Sequence, residues 1–308
     1  MARVIITGGS GFVGRAVARR LVQNGVKVCA VSRTGGPPAS CQDEWTRSSL
    51  IDWAQLDCTD SEQMTKLIED YKPTAYVHAV GALLEKSHYK SVIDPFTSLA
   101  SLASMVGGGL GGGGRSSSRQ FEDEDEFQDA RIQEGTPDYN VINRDSLAIV
   151  ADSANKASEI ALATTKTPDA GQRLPFVFVS AFAAPPLVDQ RYIESKREAE
   201  EILFSCNGLR PIVVRPGFLY SEEREWSMAL AGMLQLASSA HQGPLVGVSS
   251  MVRNMLPPGL DMSFAVHRPL RVEMLADAIV QGIANQDCFG ILEGSDIQGI
   301  ANQANDPL

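Results

Sequence analysis

The glycines near the start of the chain form the first pattern whose residue types and spacing indicate chemistry. Residues 7–14 read TGGSGFVG, so Gly8, Gly11 and Gly14 recur at every third position. Glycines in this spacing permit a tight turn, a close approach of backbone N–H groups to a pyrophosphate, and close packing of a helix on a strand. The N-terminus of the following helix favours an anion. The pattern predicts a dinucleotide-binding turn, with a ligand-free glycine loop as the alternative. The expected cofactor contacts are Gly8, Gly9, Ser10, Gly11, Phe12, Val13 and Gly14.

The residues after the second and third predicted strands bear on which dinucleotide is bound. Sites for NAD place Asp or Glu after the second strand to hold the ribose 2′-hydroxyl, but this chain has Ser32 and Arg33 there. A guanidinium can bind a 2′-phosphate, so Arg33 predicts NADP(H) in preference to NAD(H); a plain surface charge is the alternative. Asp57 follows the third strand and is placed to meet the adenine amino group, unless it has a turn or capping role.

A second constellation is the pair Tyr192 and Lys196, which are four residues apart in a predicted helix. Side chains at this spacing point from one helix face. A neighbouring ammonium favours phenolate and lowers a tyrosine pKa, which makes the tyrosine usable as a general acid or base. A Y-x-x-x-K pattern is common by chance, but this one comes twelve residues beyond a buried strand that ends in Ser180. The predicted catalytic residues therefore include Tyr192, Lys196 and Ser180.

Alternating strand and helix patterns must position these side chains. Short β-branched or apolar runs predict strands, and apolar residues at helical spacing lie between them, as in βαβ units. The predicted strands span 3–7, 26–32, 50–56, 75–80, 175–180 and 211–215, and the predicted helices include 61–71, 141–162, 192–204 and 272–284. The fold class is α/β, a Rossmann-type doubly wound parallel sheet.

Two segments interrupt this rhythm. Residues from about 98 to 137 contain GGGLGGGG, RSSSR and FEDEDEFQD, a composition that predicts a disordered insertion loop. Residues 226–252 contain no Asp, Glu, Lys or Arg, and such a surface suits a protein or membrane-surface contact, with internal packing as the alternative. We expect a dinucleotide-binding domain over residues 1–220 and a small C-terminal cap region with returning elements over 221–308.

Composition narrows the function classes. The formal net charge is −10, which argues against a nucleic-acid partner. The five cysteines and four histidines are dispersed, so neither a disulfide framework nor a metal site is expected. The opening residues MARVIITGG are a strand pattern, not a signal peptide or an Arg-rich presequence, and the apolar runs fall short of a membrane span.

The motifs TGGSGFVG, YIESKREAE and IVVRPGFLY resemble those of the short-chain dehydrogenase/reductase superfamily, in its extended and atypical branches, the NAD-dependent epimerase/dehydratase-like proteins. The similarity runs over most of the chain outside the insertion. The resemblance implies that Tyr192 occupies the catalytic tyrosine position and that Lys196 binds the nicotinamide ribose. It also implies that the segment containing Pro216 lines the nicotinamide side and that Asn143 occupies the proton-relay position.

The chain departs from the superfamily pattern at two places. The active-site Ser or Thr of the superfamily usually lies one or two positions after the residue that matches Ser180, where this chain has Ala181 and Phe182. The Asn-Ala-rich end of the fourth strand is replaced by residues 78–81, HAVG. A missing hydroxyl removes one donor to a substrate carbonyl, so an oxidoreductase and a catalytically weak accessory subunit both stay open.

Within the superfamily, RYIESKREAE, PIVVRPGFLY and VGALLE resemble the fungal mitochondrial protein associated with the coenzyme Q biosynthesis complex, and more distantly an accessory subunit of respiratory complex I. This resemblance implies a role in ubiquinone biosynthesis, other subunits of that complex as partners, and a prenylated quinone precursor as a lipid ligand. It also implies a peripheral position on the matrix side of the mitochondrial inner membrane.

Overall fold

The fold was obtained as a computed structural model, which describes residues 2–39, 41–81, 138–164, 173–183, 189–221 and 269–305. Nine strands lie in these ranges. They are β1 (Arg3–Thr7), β2 (Lys27–Ser32), β3 (Ile51–Gln55), β4 (Ala75–His78), β5 (Leu174–Val179), β6 (Leu209–Val214), β7 (Leu219–Tyr220), β8 (Leu270–Arg271) and β9 (Gly290–Leu292). The six strands expected from the sequence are all present, each within two residues of its predicted ends.

Seven strands form one sheet in the order β3-β2-β1-β4-β5-β6-β9, and all six pairings are parallel. The central strands are buried on both faces, which explains their nearly continuous apolar sequences. The strand order reverses between β1 and β4, which creates a crevice at the carboxyl edge of the sheet. The predicted Rossmann-type α/β fold is confirmed.

Helices cover both faces of this sheet. They are α1 (Phe12–Gln23), α2 (Ser61–Tyr71), α3 (Ser146–Thr164), α4 (Arg191–Phe204), α5 (Val272–Ala284) and α6 (Gly294–Asn305). Helices α1, α5 and α6 share one hydrophobic core with the sheet, and α2, α3 and α4 share the other. Each core forms because one apolar stripe of each helix faces the sheet.

Local signals in the sequence set the ends of two helices as expected. The Asp60 carboxylate accepts hydrogen bonds from the backbone N–H groups of Glu62 and Gln63, so it caps α2. Just after the C-terminus of α1, Gly25 has a φ of 73°, a left-handed conformation that glycine adopts without strain.

The sequence patterns missed β9 and α6. Strand β9 has three residues and pairs with β6 at the edge of the sheet, so it offers little periodicity to detect. Helix α6 is rich in Gly and Asn, which have low helix propensity, and tertiary packing of Ile297 and Ala301 stabilises it. Helix α5 has its predicted bounds and packs on α1. The predicted insertion at 98–137 and the charge-free segment 226–252 lie outside the described residues, and the division into two domains stays a prediction.

A buried arginine fastens the last part of the chain to the sheet. The Arg210 guanidinium on β6 donates hydrogen bonds to the backbone carbonyl oxygens of Gly282, Ile283, Asn285 and Cys288. The first three of these carbonyls lie at the C-terminus of α5, where the helix dipole favours a cation, and the fourth lies in the loop before β9. The contact aligns α5 with β6 and thereby supports β9.

Candidate functional site

The glycine-rich turn joins β1 to α1 at the carboxyl edge of the sheet, beside the crevice. Gly8 has a φ of 78°, and a Cβ built on it would lie 2.8 Å from the carbonyl oxygen of Ala79. A Cβ on Gly14 would fall well inside van der Waals contact with the carbonyl oxygen of Gly8. Both positions therefore require glycine, the first for the turn and the second for close packing of the helix.

Backbone hydrogen bonds fix the turn to the neighbouring strand. The N–H groups of Gly8 and Gly9 both donate to the carbonyl oxygen of Val31 on β2, each at 3.0 Å. Gly11 caps the N-terminus of α1, which begins at Phe12. The helix N-terminus is thus held against the ends of β1 and β2, where a pyrophosphate is bound in dinucleotide folds.

Arg33 and Asp57 lie at the same edge, after β2 and β3. Arg33 is exposed, and its carbonyl oxygen accepts a hydrogen bond from the Gln55 side chain at 3.0 Å. The Asp57 carboxylate accepts hydrogen bonds from the Thr59 N–H at 2.9 Å and hydroxyl at 2.7 Å, so the structure gives Asp57 a turn role. Burial raises the pKa of Cys58 to about 11, and Asp57 and Arg33 act on this thiol in opposite directions.

Lys196 is buried between the ends of β4 and β5. Its Nζ donates hydrogen bonds to the carbonyl oxygens of Val80 and Val179, each at 3.1 Å, and lies 4.8 Å from the centre of the Phe178 ring. Burial lowers the pKa of Lys196 to about 7, although Glu200 opposes this shift. A Cβ on Gly81 would lie 2.9 Å from Nζ, so this glycine, which sequence reasoning did not place in the site, leaves room for the amine.

Tyr192 lies one helical turn before Lys196 and packs against a second tyrosine. The Tyr139 and Tyr192 rings meet edge to face with their centres 5.8 Å apart. The expected lowering of the Tyr192 pKa by Lys196 is wrong for this structure. Burial, and then Tyr139, raise the Tyr192 pKa to about 12, and Arg197 opposes this shift only in part.

Asn143 is buried in a π-helical turn, Asn140–Asp145, that precedes α3. Its Nδ2 donates a hydrogen bond to the Ser195 hydroxyl at 3.1 Å, and that hydroxyl donates to the carbonyl oxygen of Tyr192 at 2.9 Å. The predicted helix over 141–162 is present, but its first turn is wider than expected. Such turns often occur at functional sites, and this one brings Asn143 against α4 beside Tyr192.

His78 is the largest addition that the structure makes to the expected site. It is completely buried, with Nδ1 2.8 Å from the Thr7 hydroxyl and Nε2 3.2 Å from the Ser146 hydroxyl. Burial, helped by Lys196, lowers the pKa of His78 to about 3, so the ring is neutral at neutral pH. Within the described ranges no three His, Cys, Asp or Glu side chains are grouped to hold a metal ion.

Ser180 directly follows β5, which ends one residue earlier than expected, at Val179, and the Ser180 hydroxyl has ionic partners. It donates a hydrogen bond to the Glu200 carboxylate and accepts one from Arg197 at 3.2 Å. The carbonyl oxygen of Pro216 accepts a hydrogen bond from the N–H of Phe182 at 3.0 Å. The structure therefore brings Ser180 and Pro216 to neighbouring loops and engages the Ser180 hydroxyl away from a substrate role.

Comparison with known proteins agrees with this geometry. Residues 4–95 match the model of the NAD dependent epimerase/dehydratase family. The MIOREX complex component 2 of Saccharomyces cerevisiae is 26% identical over 295 residues, which cover 94% of this chain and 96% of that protein.

Solved structures support the fold. The UDP-Glc/GlcNAc 4-epimerase of Campylobacter jejuni superposes with a TM-score of 0.53 at 10% identity, covering 97% of this chain and 82% of that chain. The UDP-glucose 4-epimerase of Thermus thermophilus, solved in complex with NAD, gives a TM-score of 0.50 at 14% identity, covering 99% of this chain and 84% of that chain. At these identities the likeness establishes the fold alone.

Among the helices that the structure describes, none combines the length and apolarity needed to cross a membrane. The glycine-rich turn, the sheet order and the family match agree with one another. Residues 4–95 match the model of the NAD dependent epimerase/dehydratase family, which confirms the resemblance of this part of the chain to proteins of that type, and the parallel sheet has the fold expected from it.

Proposed function

We propose that this chain is an NADP(H)-binding protein of the short-chain dehydrogenase/reductase type that supports ubiquinone biosynthesis. The observation that carries the binding step is the placement of Lys196. Its Nζ is held by Val80 and Val179 at the carboxyl edge, beside Gly81. The glycine-rich turn, with two positions that admit no side chain, forms the other half of a cradle that fits a dinucleotide.

Each part of the site has a role in this proposal. The turn from Gly8 to Gly14 binds the pyrophosphate, Arg33 binds the 2′-phosphate, and Asp57 faces the adenine through the oxygen not used in its turn. Lys196 binds the nicotinamide ribose, with Asn143 and Pro216 beside the nicotinamide. When bound, the nicotinamide ring supplies the hydride donor or acceptor.

The first candidate activity is an oxidoreductase on a prenylated quinone precursor. In the direction of reduction, the Tyr192 hydroxyl donates its proton to the substrate carbonyl oxygen, and its raised pKa keeps that proton in place at neutral pH. The pathway part rests on the sequence motifs and on the yeast relative, whose name places it in a multi-subunit complex. In this proposal the chain lies in the mitochondrion, peripheral to the matrix side of the inner membrane, with coenzyme Q biosynthesis subunits as partners.

The second candidate is a catalytically weak accessory subunit whose nucleotide binding stabilises a complex. The position of the Ser180 hydroxyl favours it, because that group is bound to Glu200 and Arg197. Ala181 and Phe182, which follow, have no hydroxyl to replace it. A substrate carbonyl would then receive its proton from Tyr192 without a second donor to polarise it.

Complementation separates the two candidates. A yeast strain that lacks the MIOREX complex component 2 receives either the wild-type chain or Tyr192→Phe, and its ubiquinone content is measured. If the chain is an oxidoreductase, Tyr192→Phe should fail to restore ubiquinone; if it is an accessory subunit, Tyr192→Phe should complement fully.

Fractionation of the tagged chain, with a salt wash of the membranes, tests the location. If the tagged chain were found in the soluble cytosolic fraction and the deletion strain had a normal ubiquinone content, both the proposed pathway and the proposed location would be contradicted.

A further inference from the structure

A buried ionic network lies one helical turn beyond Lys196. The Glu200 side chain is 4% exposed and accepts hydrogen bonds from three groups. The Arg215 guanidinium binds both carboxylate oxygens, with Nε 3.0 Å from Oε1 and Nη2 close to Oε2. Arg197 Nη1 lies 2.6 Å from Oε1, and the Ser180 hydroxyl donates to the same oxygen.

This network joins α4 to the loops that follow two neighbouring strands. Arg197 also donates from Nη2 to the carbonyl oxygens of Ala181 and Phe182, each at 2.9 Å, and so holds the loop after β5. Arg215 directly precedes Pro216, and it reaches Glu293 after β9 at 3.4 Å. Glu200 is the common acceptor, so the geometry of both loops relative to α4 depends on this one carboxylate.

We propose that Glu200 is a positioning residue of the dinucleotide site, which sets the loops after β5 and β6 against the helical turn that carries Lys196. This inference rests on the proposed nucleotide binding. The carboxylate acts through Arg197 and Arg215, so its effect reaches the bound nucleotide by geometry and by charge.

The charge part follows from the groups around Lys196. Glu200 is on the same helix and favours the Lys196 ammonium, whereas His78 on β4 is neutral. Burial by itself raises the pKa of Glu200, but hydrogen bonds from Arg215 and Ser180 outweigh it and hold that pKa below its usual value. Glu200 is therefore ionised and balances Arg197 and Arg215, while Glu293 contacts Arg215 from a more exposed position.

Loss of the Glu200 charge has a defined consequence. The Glu200 carboxylate favours the Lys196 ammonium against burial, so its loss makes the ammonium form less favourable and the Lys196 pKa falls. The dinucleotide is an anion, so its affinity decreases as pH rises through the Lys196 pKa. In Glu200→Gln the midpoint of this decrease moves to lower pH, by about one unit.

The test measures the affinity of the full chain for NADPH by fluorescence between pH 5.5 and 9. We expect Glu200→Gln to lose about tenfold in affinity at neutral pH and to show the lower midpoint. Glu200→Asp keeps the charge and should keep the wild-type midpoint. Glu201→Gln is the matched control, because the neighbouring carboxylate is exposed on the same helix, and it should bind like wild type.

Arg215→Lys tests the geometric part and serves if Glu200→Gln does not fold. It preserves charge but cannot bind both carboxylate oxygens, so affinity should fall about tenfold with the midpoint unchanged. Wild-type binding in both Glu200→Gln and Arg215→Lys would overturn the positioning role while leaving the proposed function intact. A uniform loss in Glu200→Gln with no midpoint shift would contradict the charge part of that role. Absence of binding by the wild-type chain would overturn the proposed function, and this inference with it.

Discussion

The Nζ of Lys196 lies 3.1 Å from the carbonyl oxygen of Val80, at the end of the strand beside the glycine-rich turn. Residues 116 positions apart in the chain are thus joined at one edge of the sheet. The amine is held by backbone atoms, so its position does not depend on a mobile side chain. Tyr192, one turn earlier, keeps a high pKa because it is buried and lies against Tyr139.

Replacement of Arg33 should remove the preference for NADP(H). A guanidinium–phosphate contact is charge-assisted and contributes roughly 1.5–3 kcal/mol, so Arg33→Ala should weaken NADPH binding roughly ten- to a hundredfold and leave NADH binding nearly unchanged. Fluorescence titration with both nucleotides measures this. Arg47→Ala, at another exposed arginine, is the control. Equal affinity of the wild-type chain for NADPH and NADH would contradict the assignment of Arg33.

The proposed catalytic pair, Tyr192 and Lys196, can be separated by two substitutions. Tyr192→Phe removes a hydroxyl and should leave NADPH affinity close to wild type while abolishing any turnover. Lys196→Ala should weaken NADPH binding as well, because it removes the contact proposed for the ribose. Tyr71→Phe, at the opposite end of the sheet, is the control for loss of a tyrosine hydroxyl. If Lys196→Ala bound NADPH as tightly as wild type, the proposed role of the amine would be wrong.

His78 should make the fold sensitive to acid. Its pKa in the folded chain is about 3, whereas the unfolded value is near 6.5, so the unfolded state takes up a proton first as pH falls. Its contribution to stability is full above about pH 6.5 and is lost progressively toward pH 3, with a slope of up to about 1.4 kcal/mol per pH unit. Urea unfolding measured at several pH values should give His78→Asn a smaller slope of unfolding free energy against pH than the wild-type chain has. An unchanged slope would mean that His78 is not buried as a neutral ring.

Arg210 should stabilise the last part of the fold. Arg210→Lys replaces a fork of five N–H donors by one ammonium with three, which cannot serve all four carbonyl oxygens, and we expect the free energy of unfolding to fall by about 2–4 kcal/mol. The exposed Arg47 on a 3₁₀ turn provides the matched control, Arg47→Lys, which should change stability little. Similar unfolding of both variants would show that the guanidinium does not anchor α5.

The sheet could be predicted because its strands are buried on both faces and therefore consist of short apolar runs bounded by turn residues. The capping role of Asp60 and the bounds of α5 were equally visible, because each depends on residues near in sequence. Strand β9 and the network around Glu200 were not predicted. Their stability comes from contacts with residues distant in the chain, such as Ile212 and Arg215, which a local pattern does not report.

Residue types at the site were predicted more successfully than their states. The positions of Tyr192 and Lys196 on one helix follow from their spacing, but the direction of the tyrosine pKa does not. Burial and the neighbouring Tyr139 decide that direction, and both depend on parts of the chain distant from α4 in sequence. Likewise Ser180 was predicted at the end of β5, whereas its hydrogen bond to Glu200 depends on how α4 packs against the end of β5.

Binding of NADPH to the glycine-rich turn tests the central claim most directly. The measurement is isothermal titration calorimetry with NADPH on the wild-type chain, on Gly11→Val and on a control variant, Gly299→Ala. The Cβ added in this control meets open space in α6. We predict saturable one-site binding for wild type and Gly299→Ala, and none for Gly11→Val, because its side chain would occupy the space of the pyrophosphate. Thermal unfolding of the free chains verifies that Gly11→Val is folded. Absence of binding by the wild-type chain, or undiminished binding by folded Gly11→Val, would contradict the account.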